Sequence, residues 1–385
     1  MYPRPSREGS TQGFGLSLHH SGNERTRPDV LGWAPGLQWP LGPPLAAQLA
    51  LILFLSAATA SAQSGGSETR LALSFAGETG YSAGLRVPAA RGSNLGIAQG
   101  SFAWRQGGRW RFAASAAAFA AGAGETHGRL LVKETYLGFT AGDFDFLAGK
   151  RILKWGTGYA FTPTGVLDPP RDPADPTDRL GLNQGRELAS IEYIRGRHAI
   201  TAAWASGGML QRHRPGLNET FALRDNFMIA GFDASVIFAQ ERGRQLFAGA
   251  NFTRVVGEAV EIHAEVAHRE ATAVLAGGKY SFLSGAGAIA ELYFPGAGQP
   301  PHAFVHLGKS RLRELPGWKE WDIGGALLLN LRDRSRLVIL DVNRRFGNRL
   351  SAYGRVQAPA GAKWRSEYGM IPYAALLTAG FRVQM

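Results

Sequence analysis

Apolar and polar side chains alternate along most of this chain. The last thirteen positions show it best. Tyr373, Ala375, Leu377, Ala379, Phe381, Val383 and Met385 are apolar, and the residues between them include Thr378, Gly380, Arg382 and Gln384. A strand projects successive side chains to opposite faces, so this segment offers one face to an apolar medium and the other to water. Upstream, Val260, Ile262, Ala264 and Val266 alternate with Glu261, His263 and Glu265. Leu246, Ala248, Ala250 and Phe252 alternate with Gln245, Asn251 and Thr253, and Leu350, Ala352, Val356 and Ala358 with Ser351, Tyr353, Arg355 and Gln357. Charges at this spacing cannot sit unpaired in a dry core. The face carrying Glu261, His263, Glu265, Tyr353 and Arg355 therefore lines a wet or salt-bridged interior. The alternation fails at Leu327-Leu328-Leu329 and from Leu337 to Leu340, which marks either a filled interior or a shift of register.

The pattern predicts strands at 69–76, 96–105, 109–119, 128–140, 143–152, 185–195, 198–206, 225–240, 244–256, 258–269, 272–282, 285–294, 303–308, 320–331, 334–345, 348–358 and 371–385. Turn signals such as Gln106-Gly107-Gly108, Ala141-Gly142-Asp143, Arg195-Gly196-Arg197, Glu241-Arg242-Gly243 and Arg332-Asp333-Arg334 separate them. No long amphipathic helix competes. Consecutive strands with short connections favour an antiparallel meander. Single-chain bacterial barrels use even strand numbers, and 303–308 is the weakest segment. The fold expected is therefore all-β: a transmembrane antiparallel up-and-down β-barrel of about 16 strands, within a range of about 14 to 18.

Residues 45–62 form a short apolar core ending in Ala60-Ser61-Ala62, the pattern of a cleaved secretory signal. The apolar run is too short to span a bilayer comfortably, which leaves a membrane anchor as the alternative. This divides the chain into an extension at 1–44, disordered or misassigned at its start codon, a signal at 45–62, and a barrel at 63–385. The chain has no cysteine, which excludes disulfides, zinc–thiolate sites and cysteine nucleophiles. A mean hydropathy of −0.12 suits strands that average apolar and polar positions. The net charge is +12, and Lys supplies only seven of the 42 basic residues. Such a balance suits an anionic lipid surface or an anionic solute, or reflects Arg spread over loops by coding bias. Without a basic–aromatic stripe, nucleic acid is not expected as a partner.

The closing segment, with Tyr373, Leu377, Phe381, Val383 and Met385 on its apolar face, resembles the final strand of bacterial outer-membrane β-barrels. In those the last residue is typically aromatic, whereas here it is Met385; a soluble sandwich can also end on an amphipathic strand. The segment Gly149-Lys150-Arg151-Ile152-Leu153-Lys154-Trp155-Gly156 resembles the basic-then-Trp-Gly stretch of alginate-export-like and related outer-membrane porins. These resemblances imply residence in the bacterial outer membrane and passive diffusion of a small or polymeric hydrophilic solute, organic or anionic. The implied partners are outer-membrane lipid and lipopolysaccharide, the barrel-assembly machinery, the solute and a homo-oligomer. No cofactor or metal is implied.

One loop stands apart. Residues 154–179 carry prolines at 163, 169, 170, 173 and 176, so they cannot form a central strand. The segment is expected to be extended, partly polyproline II. Asp168, Asp172, Asp175 and Asp178 recur along it with Arg171 and Arg179 interleaved. Three readings stay open: a solvated turn, a pore-lining constriction in the manner of the inner loop of porins, and a divalent-cation site. The spacing of a calcium loop is absent. Trp155, Tyr159 and Phe161 are expected to anchor the barrel rim, where aromatic rings favour a membrane interface.

Catalysis has one candidate constellation, His263 flanked by Glu261 and Glu265. On one strand face these lie roughly 7 Å apart. The motifs of serine hydrolases and zinc proteases are missing, so the expectation is a lumenal charge network, with Glu against Arg269 or Arg355. A barrel plugged by its leucine-rich strands and serving a periplasmic complex is the second functional reading, and a lumenal hydrolase dependent on His263 the third.

Overall fold

The computed structural model describes residues 67–84, 92–122, 126–208, 218–312 and 317–385. The 1–44 extension and the 45–62 signal lie outside the described residues. The strands, in chain order, are β1 Ser67–Ala83, β2 Gly92–Gln106, β3 Trp110–Gly122, β4 Thr126–Ala141, β5 Phe144–Arg151, β6 Arg186–Arg195, β7 His198–Ala205, β8 Thr220–Ile229 and β9 Phe232–Glu241. They continue as β10 Phe247–Val256, β11 Val260–His268, β12 Thr272–Ser281, β13 Ala286–Phe294, β14 His302–Lys309, β15 Trp321–Asn330, β16 Arg336–Phe346, β17 Leu350–Ala360 and β18 Ala375–Gln384. Each pairs antiparallel with its sequence neighbours in one 18-stranded sheet, and β1 pairs with β18 to close it. The architecture is thus the all-β, closed, up-and-down barrel that the alternation predicts.

The strand number is 18 rather than about 16. The single segment expected at 225–240 is two strands, β8 and β9. Ala230 (φ 50°) and Gly231 (φ 78°) make the turn between them. A two-residue hairpin turn with both residues at positive φ matches the twist of the flanking strands. Only Gly231 announces it in sequence, because an alanine seldom takes that conformation. The weak segment at 303–308 is a full strand, β14.

The two faces separate as the alternation requires. Leu377 and Phe381 of β18 are 45% and 51% exposed on the outer wall, while Glu265 of β11 and Glu291 of β13 are 2% exposed inside. Tyr373 departs from the outer row. It precedes β18, and its hydroxyl donates to Gln357 Oε1 at 3.3 Å, because residues 361–374 fold inward before the last strand begins. The two leucine runs keep their register, with Leu328 opposite Leu337 and Leu327 opposite Val338. Leu328, Leu337 and Ile339 turn inward and cluster with Phe304 around Ala160, whereas Leu340 is exposed outside. The broken alternation therefore marks a filled stretch of interior.

The two ends of the barrel differ. Tight turns at 107–109, 142–143, 196–197, 230–231, 257–259 and 347–349 close one end; the segment 152–185 emerges at the other. Aromatic rings of the outer wall gather at the tight-turn end. Trp110 lies 4.4 Å from Phe139, Phe144 4.9 Å from Tyr193, Phe232 5.5 Å from Phe252 and Trp318 5.1 Å from Trp321.

Candidate functional site

The segment between β5 and β6 turns into the barrel and runs along its inner wall. A β-bulge prepares the place where it leaves and returns. In β4, Glu134 pairs with Ser115 but Val132 pairs with Ala116, so Lys133 is the extra residue. Such a bulge re-aims neighbouring groups. Here Glu134 Oε1 accepts the N–H of Ile152 at 2.9 Å, at the start of the loop. The carbonyl of Lys133 accepts the N–H of Gly185 at 2.9 Å, at its end.

The incoming arm is held by carboxylates of the wall. Glu265 on β11 accepts from the N–H of Thr157, from Gly158 N at 2.7 Å, and from Thr164 N and Oγ1 at 2.9 and 2.7 Å. Glu291 on β13 accepts from the N–H groups of Tyr159 and of Ala160, the latter at 2.9 Å, and faces His263 Nε2 at 2.9 Å. Tyr159 donates its hydroxyl to Glu261 at 2.9 Å. Asn251 on β10 donates to the carbonyl of Trp155 and to Thr164 Oγ1, both at 2.8 Å. A buried carboxylate is stable only when its oxygens are fully hydrogen-bonded, and the loop backbone supplies those donors. Gly158 permits the approach, since a Cβ there would stand 2.0 Å from the carbonyl oxygen of Phe161 and 2.4 Å from Leu275 Cδ2.

This corrects two expectations. Glu261, His263 and Glu265 do not pair with Arg269 or Arg355. Arg269 is taken by Glu241, and Arg355 lies 3.8 Å from Asp175 and 3.6 Å from Asp341. The carboxylates are served instead by loop amides that local sequence could not place. Nor do Trp155, Tyr159 and Phe161 sit at the rim. Trp155 is buried among Leu147, Leu188, Ala203, Ile237 and Phe247, Tyr159 meets the His263 ring edge-on at 5.4 Å, and Phe161 stacks on Tyr293 at 4.7 Å. The chain turns inward directly after β5, ahead of Pro163, so these aromatic rings pack on inward-facing residues.

The aspartates build the loop itself. Asp175 N donates to Asp172 O, Asp178 N to Asp175 O and Gly181 N to Asp178 O. Asp-Pro-x-Asp thus makes successive β-turns, with Asp first and Pro second, the residues such turns favour. The expected extended, partly polyproline II course is replaced by this series of turns. Asp168 caps Trp155 N at 2.7 Å and Gly156 N at 3.3 Å, and its burial pushes its pKa up to about 6. Asp178 (φ 49°) accepts from Leu182 N and Asn183 N, each at 2.8 Å. Burial also raises Asp175, against the pull of Arg355. Asp172 caps Ala174 N and stays exposed.

The outgoing arm is held by basic and amide side chains that take its carbonyls. Arg355 of β17 donates to the carbonyl of Ala174, Arg382 of β18 to that of Arg179, and Gln99 of β2 to that of Leu180. Arg171 donates to Gly158 O and to Tyr159 O, tying the two arms together. Arg179 pairs with Glu78 of β1 at 2.6 Å and lies 4.9 Å over the ring of Tyr353, whose hydroxyl reaches the same Glu78 at 3.0 Å. The loop thereby touches the wall from β10 round through β13, β17, β18, β1 and β2. Glu78, Gln99, Asn251, Glu291 and Arg382 are residues of this site that sequence reasoning missed. Their one signal is a polar residue at an inward position of an alternating strand, as in Ala288-Ile289-Ala290-Glu291-Leu292.

Further basic groups face the interior with neutral partners. Arg224 Nε and Nη2 donate to Ser235 Oγ at 3.0 and 2.9 Å. Arg186 donates to Asn218 O and Thr220 Oγ1 at 2.7 and 3.1 Å. Arg151 lies 5.1 Å over Tyr136.

No family model matches the chain, and no curated protein matches it in sequence. Solved structures match it in shape. One mutant of the porin of Rhodopseudomonas blastica superposes with a TM-score of 0.51 at 8% identity, covering 83% of this chain and 100% of that one. A second mutant of the same porin gives 0.50 at 8% identity, with the same coverage. At such identity the likeness is one of fold, and the fold of this chain is a porin-like closed antiparallel β-barrel.

Proposed function

We propose that this protein is a bacterial outer-membrane channel through which hydrophilic solutes diffuse passively, with the inner loop as its constriction and a preference for anions. One observation carries the preference. The acidic groups of the β11–β13 wall, Glu265 and Glu291, are sealed beneath the loop at 2% exposure, whereas Arg151, Arg171, Arg224 and Arg382 keep part of their surface open to the interior. These partly uncovered arginines favour anions, because charged wall groups set the ion preference of a pore. The net charge of +12 points the same way. The apolar outer wall and the aromatic band at the tight-turn end suit a bilayer, with the tight turns periplasmic and the long loops outside the cell.

The test is a planar-bilayer recording of the purified protein in a salt gradient. Stable conductance steps with an anion-selective reversal potential are expected, and Arg151→Gln with Arg224→Gln should move that potential towards zero. Clear cation preference would sink the anionic reading. A plugged barrel serving a periplasmic complex is favoured by the apolar cluster of Phe304, Leu328, Leu337 and Ile339 around Ala160, with Tyr368 packed against it. Folded protein without conductance steps would select that reading.

A further inference from the structure

We propose that the outer rim at the tight-turn end is a docking surface for anionic phospholipid headgroups, held by arginines that lie over aromatic rings. The proposal rests on the membrane-barrel reading above. Arg344 of β16 is the register partner of Trp321 on β15. Its guanidinium lies 5.3 Å from the Trp321 ring centroid and 4.8 Å from that of Phe346. Arg254 of β10 repeats the arrangement elsewhere on the rim, 4.7 Å over Phe232. Arg195, the last residue of β6, donates to the Tyr193 hydroxyl at 3.2 Å. All three arginines are exposed, and all three sit in the last rungs of their strands, on the outer face.

The neighbour of Arg344 supplies the contrast. Arg345 points inward and is committed to Asp322 at 2.6 Å. Arg344, one residue away and facing out, has rings beneath it and no carboxylate at ion-pair distance among the described residues. A guanidinium lying on a ring gains from the π-face while its N–H edge stays free. That edge matches phosphate oxygens in a two-pronged hydrogen bond. At the depth of an aromatic band, the anions within reach are lipid headgroups. The tight-turn end faces the periplasm, so phospholipid of that leaflet is the occupant, and the phosphates of lipopolysaccharide lie at the other end.

The experiment compares the full chain with an Arg254→Gln, Arg344→Gln double variant. Both are reconstituted into phosphatidylcholine vesicles with or without phosphatidylglycerol. Bound lipid is read by native mass spectrometry and channel formation by bilayer recording. The wild type is expected to retain phosphatidylglycerol over phosphatidylcholine. The double variant should lose about fivefold of that preference per arginine, with conductance unchanged. Equal retention of the two lipids by the wild type, an undiminished preference in the double variant, or retention of added lipopolysaccharide in place of phospholipid would overturn the proposal. Insertion and conduction without lipid preference would remove this inference alone. Failure to insert into either vesicle would remove the channel reading and this inference with it.

Discussion

From Thr157 to Thr164 the loop backbone donates hydrogen bonds to wall carboxylates; from Ala174 to Leu180 it accepts them from wall arginines and a glutamine. The two arms meet the barrel with opposite polarity, and the consequences differ. Glu265 collects donors on both oxygens, so the charge is matched and can be buried completely. Arg355 and Arg179 each keep a buried Nε without a partner, and Arg382 and Arg171 stay partly uncovered. A carboxylate can be enclosed by a few convergent N–H groups, whereas a guanidinium offers five donors in a rigid fork that one carbonyl cannot satisfy. Glu265 and Glu291 thus become a sealed anchor, whereas the arginines of the outgoing arm are satisfied only in part.

Removing the anchor gives the largest expected effect. Glu265→Ala strands the N–H groups of Thr157, Gly158 and Thr164 beneath the loop, at about 1–3 kcal/mol for each buried donor left unpaired. The incoming arm should leave the wall. Limited proteolysis ought to cut within 152–185, and bilayer traces should become noisy. A protected loop with quiet traces would show that the anchor lies elsewhere. Arg355→Ala is the matched change on the outgoing arm. It removes one bond to Ala174 and the pairing with Asp175 and Asp341, so the loss should be smaller, about 1–2 kcal/mol, with protease sensitivity confined to the stretch around Ala174. Equal damage from the two substitutions would erase the distinction between the arms.

A further effect is one of pH, at Asp168, which links the start of the loop to its middle. Its folded pKa of about 6 lies above the ordinary value of 3.8. Between these values the seated loop binds more protons than the released one, so stability from this group is present at low pH and is lost as pH rises through about 6. The full span is on the order of 3 kcal/mol. The heat-modification midpoint of the wild type should therefore fall between pH 4 and 6 relative to that of Asp168→Asn, whose amide does not titrate. Parallel pH curves for the two proteins would show that the group is not buried as described.

Much of the fold was legible because a barrel wall imposes a strict physical rule on each residue. Alternation alone sorted Ile262 and Val266 from His263 and Glu265, and Leu246 and Phe252 from Asn251, onto the faces they occupy. It failed where a turn carried little signal, at Ala230-Gly231, and where a segment left the wall, at Tyr373. The candidate site was legible as a loop and illegible as a contact map. The prolines announced an irregular segment, expected as extended chain rather than the turns it forms, and Glu291, Asn251, Glu78 and Arg382 lie on strands distant in sequence. Nothing local links them to Tyr159, Thr164 or Arg179.

By itself, then, the sequence determined the all-β class, the inward and outward faces of the strands, and the irregular loop after Arg151, because period-2 side-chain geometry and the constraints of proline act over a few residues. Only the tertiary structure decided the closure of 18 strands, the inward path of the loop, and the sealing of Glu265 and Glu291 beneath it. Those outcomes depend on which wall group reaches which backbone group across the barrel, and that pairing is settled by long-range geometry and the cost of leaving a buried charge unsatisfied.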